Sequence, residues 1–170
     1  MVSCRPATPG DVPSLSALAK RTWFDAFGGS VSPEDAAAEL EATRSEGYFA
    51  VALAERTILV AEEEGALVGY VQFGDVDIPE VDLRAGDQEL HRLYVETSLQ
   101  GRGIGRRLMD EALGHPRLAQ ASRIFLQVWE ENHRAVALYA RLGFVVVGRT
   151  AFTIGGGEIV EDLVMVLDRT

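Results

Sequence analysis

Apolar residues recur along this chain at two periods. After Asp11, placed to cap a helix, Val12, Leu15, Ala19, Trp23 and Ala26 follow helical spacing until Phe27-Gly28-Gly29-Ser30 breaks it. Ser32-Pro33-Glu34-Asp35 starts a second helix, with Ser32 as N-cap and Pro33 first, and residues Ser45 to Ala54 read as a third. Strands are predicted near Ser3–Arg5, then over Thr57–Glu62 and Leu67–Phe73, joined by a turn at Glu63–Gly65. The stretch Asp75–Gly86, with Pro79, is a polar loop, a kind of segment that often carries substrate contacts. Further on, Ile104, Leu108 and Ala112 form the buried stripe of a helix that stops near Gly114-His115-Pro116. A strand at Ile124–Trp129 leads to a helix burying Ala135, Leu138, Tyr139 and Leu142, with Gly143 as its C-cap. Strands near Phe144–Thr153 and Ile159–Leu167 close the chain.

The strand Glu89–Val95 breaks phase. Leu90 has the wrong parity for Leu93 and Val95, and one extra residue between Leu90 and Leu93 would restore a common face. That is what a β-bulge does. A strand buried on both faces is the other reading, because parity then means little.

Composition narrows the class of protein. A chain of 170 residues reads as one domain, long enough to bury about 70% of its unfolded surface. No apolar run approaches the roughly 20 residues of a membrane span, and the opening residues lack a signal-peptide core, so a cytoplasmic protein is expected. Cys4 stands alone, which rules out an internal disulfide and a cysteine-rich metal site; it reads as a small core residue. With 26 acidic against 16 basic residues the net charge is −10, which argues against nucleic acid and suits a cationic amine.

Chemistry concentrates where the phase-broken strand ends. Gly101, Gly103 and Gly105 fall within five residues at the start of a helix. A helix N-terminus presents unpaired N–H groups and about half a positive charge. Without side chains in the way, a phosphate or pyrophosphate can approach them closely. Arg102, Arg106 and Arg107 fit an anion there, since cations are otherwise misplaced at that end. Neither G-x-G-x-x-G nor G-x-x-x-x-G-K-[ST] matches: a third glycine would fall on Arg106 or Leu108, and no Lys followed by Ser or Thr is present.

The pattern that does fit is Q-x-x-G-x-G over Gln100-Gly101-Arg102-Gly103-Ile104-Gly105, followed downstream by Asn132, Ala135, Leu138-Tyr139 and Gly143-Phe144. Together with the opening strand and helices, these segments resemble the GNAT N-acetyltransferase superfamily over nearly the whole chain. The resemblance implies an α/β (α+β) fold with a central mixed, mostly antiparallel sheet of about seven strands, a splayed parallel pair in its middle, and about four flanking helices. It implies acetyl-CoA as cosubstrate and no metal. The pantetheine arm would lie in the splay, against Leu93 and Val95, with the pyrophosphate on residues 100–106 and Asn132 doubling as helix cap and pantetheine partner.

Amide formation from an amine and a thioester needs a base, an oxyanion donor and an acid for the departing thiolate. Glu89, eleven positions before Gln100, matches the spacing of the glutamate base in the histone acetyltransferase branch, with Glu130 and His91 in reserve. Tyr139, seven positions after Asn132, matches the family's acid, and the Val95 N–H is the implied oxyanion donor. Trp23, Asp25 and Phe27, at the end of the first helix, with Trp129 and Glu130, are the expected acceptor residues, an aromatic and acidic wall suited to an amine.

Within the superfamily the words RTWFDAFG, SPED, ELHRLYV, QVWEENHRAVALY and Glu161-Asp162-Leu163 are most similar to bacterial spermidine/spermine acetyltransferases of the PaiA type. A small-molecule amine, polyamine-like, is therefore the favoured acceptor, with no nucleic acid and no membrane as partner; a homodimer is left open. The rival readings are a peptide or ribosomal-protein N-terminal acetyltransferase, and a catalytically silent acyl-CoA sensor. Silence is disfavoured because a mere binder needs neither Tyr139 nor Glu89.

Overall fold

A computed structural model describes residues 1–154 and 158–170. Seven strands form one sheet in the order β1-β2-β3-β4-β5-β7-β6. They are β1 (Val2–Pro6), β2 (Thr57–Glu63), β3 (Ala66–Gly74), β4 (Gln88–Val95), β5 (Arg123–Trp129), β6 (Val145–Ile154) and β7 (Glu158–Asp168). Every neighbouring pair is antiparallel except β4 and β5. The helices are α1 (Val12–Phe27), α2 (Pro33–Arg44), α3 (Glu46–Glu55), α4 (Ile104–Gly114), the single turn α5 (Pro116–Ala119) and α6 (His133–Arg141). Among the described residues no helix is long and apolar enough to cross a membrane.

Alternation along the strands sorts the core onto two faces. On one, α4, α5 and α6 bury Leu108, Met109, Leu118 and Tyr139 against Leu90, Ile124, Leu126 and Met165. On the other, Leu15 and Leu18 of α1 and Phe49 of α3 pack on Ile58, Val60 and Tyr70. Fully burying each such side chain stabilises by about 1.5–3 kcal/mol. Cys4 is only half-buried at the edge of the first cluster, because β1 is an edge strand. The loop between β3 and β4 does not line the cleft where β4 and β5 part: Ile78 is buried against Phe125, Val164 and Val166, so the loop packs over the sheet.

Local chemistry explains most boundaries. Ser32 accepts from the Asp35 N–H and Ser45 from the Tyr48 N–H, both at 3.1 Å, so each serine caps its helix. Asp11 does not cap α1. Its carboxylate accepts from the N–H and hydroxyl of Thr8 and pairs with Arg5, fixing a 3-10 turn just before the helix. Positive φ at Glu64 and Gly65 makes the tight β2–β3 hairpin.

The bulge is real. Gln72 pairs with Arg92 while Phe73 pairs with Leu90, so His91 is the extra residue on β4. The parallel pairing of β4 with β5 ends at the same point, holding only for Gln88–Leu90 against Ile124–Leu126. Beyond Leu90 the two central strands part.

The far end of α6 is closed by Gly143, at φ 100°. Its N–H donates to the Ala140 carbonyl and the Phe144 N–H donates to the Tyr139 carbonyl, each at 3.0 Å. A Cβ here would also stand 3.2 Å from Leu167 Cδ1. Gly143→Ala should therefore lower stability by about 1–2 kcal/mol, read as a fall in Tm by calorimetry. An unchanged Tm would show that the left-handed cap does not set the end of α6.

Candidate active site

A cleft of about 1100 Å3 opens where β4 and β5 part, with α1 and α2 on one side and α4 and α6 on the other. The loop after β4 forms its rim. Gly101 and Gly103 hold φ of 85° and 80°, conformations that side chains resist. Gly103 is the N-cap of α4 and no side chain caps the helix, so the first N–H groups of α4 are left without a partner. A Cβ added at Gly103 would meet nothing within 4 Å, whereas one at Gly105 would touch Val95 and Leu138. The loop is packed behind and open in front. Gln100 ties it in place: its amide donates to the Val95 carbonyl at 3.3 Å and its oxygen accepts from Arg134 at 3.4 Å.

Leu93, Val95 and Ile104 line the parting on the α4 side, and Arg106 lines it while paired to Asp110. Arg102 does not. Its guanidinium turns to Glu63 at the end of β2, with contacts of 2.8 and 3.1 Å, so its charge is spent outside the cleft. Asn132 accepts from the Ala135 N–H at 3.2 Å and caps α6, which brings Tyr139 to the cleft wall. Tyr139 is 5% exposed. Burial, reinforced by neighbouring Tyr94, pushes its phenol above the usual range, so it stays protonated.

On the α1 and α2 side the rings of Trp23, Phe27 and Trp129 form a tilted chain with centroids 5.7 and 5.6 Å apart. Asp25 lines the same chamber and accepts from the Thr97 hydroxyl at 2.7 Å. Glu130 is not brought in: it pairs with Arg149 of β6, leaving Glu131 at the rim. Glu89 stands a layer deeper than expected, 5% exposed and outside the cleft lining. Its carboxylate accepts from the Asp77 N–H at 2.6 Å and lies 3.4 Å from Nδ1 of His91. The bulge puts His91 between Glu89 and the cleft, which its ring lines, and its Nε2 has no hydrogen-bond partner.

Three charged residues escaped the sequence reading. Asp162 of β7 lies opposite Trp129 and lines the cleft; burial raises its carboxyl to about 6. The signal was the Glu161-Asp162 pair between Val160 and the apolar run Leu163–Leu167. Arg44, at the end of α2, and Arg92 of β4 also line the chamber. Nothing in the local pattern marks either arginine as inward-facing.

Residues 15–144 match the acetyltransferase (GNAT) family. An uncharacterised N-acetyltransferase of Mycobacterium tuberculosis is 34% identical over 160 residues, 92% of this chain and 96% of that protein. The spermine/spermidine N(1)-acetyltransferase of Bacillus subtilis is 32% identical over 101 residues, 59% of this chain and 66% of that one. Among solved structures, the PaiA N-acetyltransferase of Thermoplasma acidophilum, in complex with coenzyme A, aligns with a TM-score of 0.77 at 20% identity over 99% of both chains. The match across most of the chain, on a sheet whose central strands part beside an uncapped helix start, shows that this chain belongs to the GNAT family of N-acetyltransferases.

Proposed function

We propose that the protein moves an acetyl group from acetyl-CoA to a primary amine of a small molecule by direct attack. The observation that carries this reading is the parting of β4 from β5 between an open anion cradle and a chamber lined with unpaired polar groups. The residues present fit the donor. The N–H groups at the start of α4, with Gly101 and Gly103, would hold a pyrophosphate, and Arg106 and Arg134 stand beside them. The β4 backbone at Leu93, unpaired toward β5, would hydrogen-bond a pantetheine amide beside Val95, as would Asn132. Bound there, acetyl-CoA supplies an activated thioester.

The chain's own groups then divide the proton work. The ammonium loses its proton to Nε2 of His91, directly or through one water, and Glu89 positions the ring from behind. The Val95 N–H is the donor toward the developing oxyanion. Tyr139 keeps its proton because it is buried, and gives it to the departing thiolate. A polyamine-like acceptor draws support from the Bacillus relative, from Asp25 and Asp162, and from the aromatic wall of Trp23, Phe27 and Trp129.

Coenzyme A at 100 times its Kd should stabilise the protein by about 2.7 kcal/mol, seen as a rise in Tm. Gly103→Val, which fills the open front of the loop, should remove that rise. No shift for the unsubstituted protein would end the cofactor assignment.

Tyr139→Phe should keep coenzyme A affinity while lowering kcat on the order of 10²-fold, because it deletes a proton donor and little packing. Equal kcat in the two proteins would make Tyr139 a packing residue only.

Asp162 gives a pH signature. Its folded pKa of about 6 lies above the ordinary 3.8, so ionising it opposes folding. That penalty is absent below pH 3.8 and complete above pH 6. Asp162→Asn should stabilise the free protein at pH 8 by on the order of 1 kcal/mol, discounted for partial exposure, and by almost nothing at pH 4. The same variant should raise KM for the amine. A gain in stability that is equal at both pH values would contradict the assignment.

A further inference from the structure

The acceptor chamber holds two cations that are poorly matched by anions: Arg44 has only the looser pair with Glu39, and Arg92 has none among the described residues. Arg44 is 6% exposed, and its guanidinium sits between the rings of Trp23 and Tyr94, 5.7 and 5.8 Å from their centroids. These faces offset part of the cost of burying the charge, but they accept no N–H in the plane of the group. Its Nε is fully buried without a hydrogen-bond partner. The nearest carboxylate, on Glu39, is 3.7 Å away, beyond hydrogen-bond distance. Arg92 stacks over Tyr48 at 4.6 Å and has no ion pair among the described residues.

Both guanidinium groups are held at Thr43. Arg44 donates to the Thr43 hydroxyl at 2.5 Å and Arg92 donates to the Thr43 carbonyl at 2.9 Å. Burial pushes the Tyr70 hydroxyl up to about 12, and the positive charges of Arg92 and Arg44 nearby oppose that rise. Neither arginine is loose: the Arg44 carbonyl accepts from Ser16 at 2.6 Å, and Arg92 sits on the bulged segment of β4. Like charges held together in a low-dielectric wall repel one another. An oxyanion placed between them would relieve that repulsion and accept the orphaned donors.

We infer that the acceptor carries a carboxylate as well as its amine, and that Arg44 and Arg92 receive that carboxylate at the α2 end of the chamber. The inference rests on the N-acetyltransferase reading and narrows its substrate class. An amino acid satisfies both ends, with its amine toward His91 and Asp162 and its carboxylate toward the two arginines. A polyamine would place a second cation against this pair. A peptide N-terminus has no carboxylate beside its amine.

The test uses matched pairs that differ only by the carboxylate: ornithine against putrescine, and phenylalanine against phenethylamine. Thiol release from acetyl-CoA is measured for each, and Tm of the coenzyme A-loaded protein is recorded with each amine. The amino acid of at least one pair should exceed its decarboxylated partner at least tenfold in kcat/KM and shift Tm further. Arg92→Gln should collapse that ratio about tenfold, mainly through KM of the amino acid. Arg44→Lys, which keeps the charge and loses the fork, should lower the ratio less. A merely structural arginine would lower both members of a pair alike and leave the ratio standing. Putrescine or phenethylamine equal to or better than its amino acid in both pairs, with ratios indifferent to Arg92→Gln, overturns the carboxylate site and leaves the acetyltransferase reading intact. No thiol release with any amine, despite a Tm shift with coenzyme A, overturns both.

Discussion

Backbone N–H and C=O groups inside a sheet need partners, and β4 is a central strand that leaves part of one edge without them. The bulge at His91 and the end of parallel pairing at Leu90 fall together, so the strand turns from β5 while staying paired with β3. Everything proposed for the chemistry depends on that parting. It opens the cleft, exposes backbone for an extended ligand, and points His91 and Arg92 into the acceptor chamber. The rest of the fold holds the opening in place. Leu90 is anchored in the main core, and β5 is held on its other side by a full ladder to β7.

The two walls of the opening have opposite electrostatic character. On the α4 side, unpaired N–H groups, Arg106 and Arg134 favour anions. On the α1 and α2 side carboxylates and arginines are interleaved, and among the described residues four buried side-chain atoms lack partners: Arg44 Nε, Tyr70 Oη, Gln72 Oε1 and His91 Nε2. Buried polar groups are nearly always satisfied, and two of these four exceptions, on Arg44 and His91, belong to residues that line the cleft. The net charge of the whole chain, −10, gives no hint of the paired arginines within.

The sequence made visible what depends on near neighbours. The parity slip between Leu90 and Leu93 announced the bulge, Ser32 and Gly143 marked helix ends, and the three glycines marked the uncapped start of α4. What it hid depends on distant partners. Arg102 reads as a phosphate ligand until Glu63, 39 residues earlier, is folded beside it. Glu89 reads as a surface base until the loop after β3 covers it and His91 is seen in front. Arg44 and Arg92 come from a helix end and a strand 48 residues apart, and only tertiary packing brings both to Thr43. Asp11 reads as the cap of α1 until Arg5 and Thr8 are folded against its carboxylate.

Amide hydrogen exchange on β4 tests the central claim most directly, because it reads the unpaired strand edge without depending on the acceptor. With coenzyme A added, the account predicts slower exchange at amides of Arg92–Val95 and at Gly103–Arg106, and little change in the β6–β7 hairpin. Binding that protects neither segment, or protects only surfaces away from the parting of β4 and β5, would contradict it.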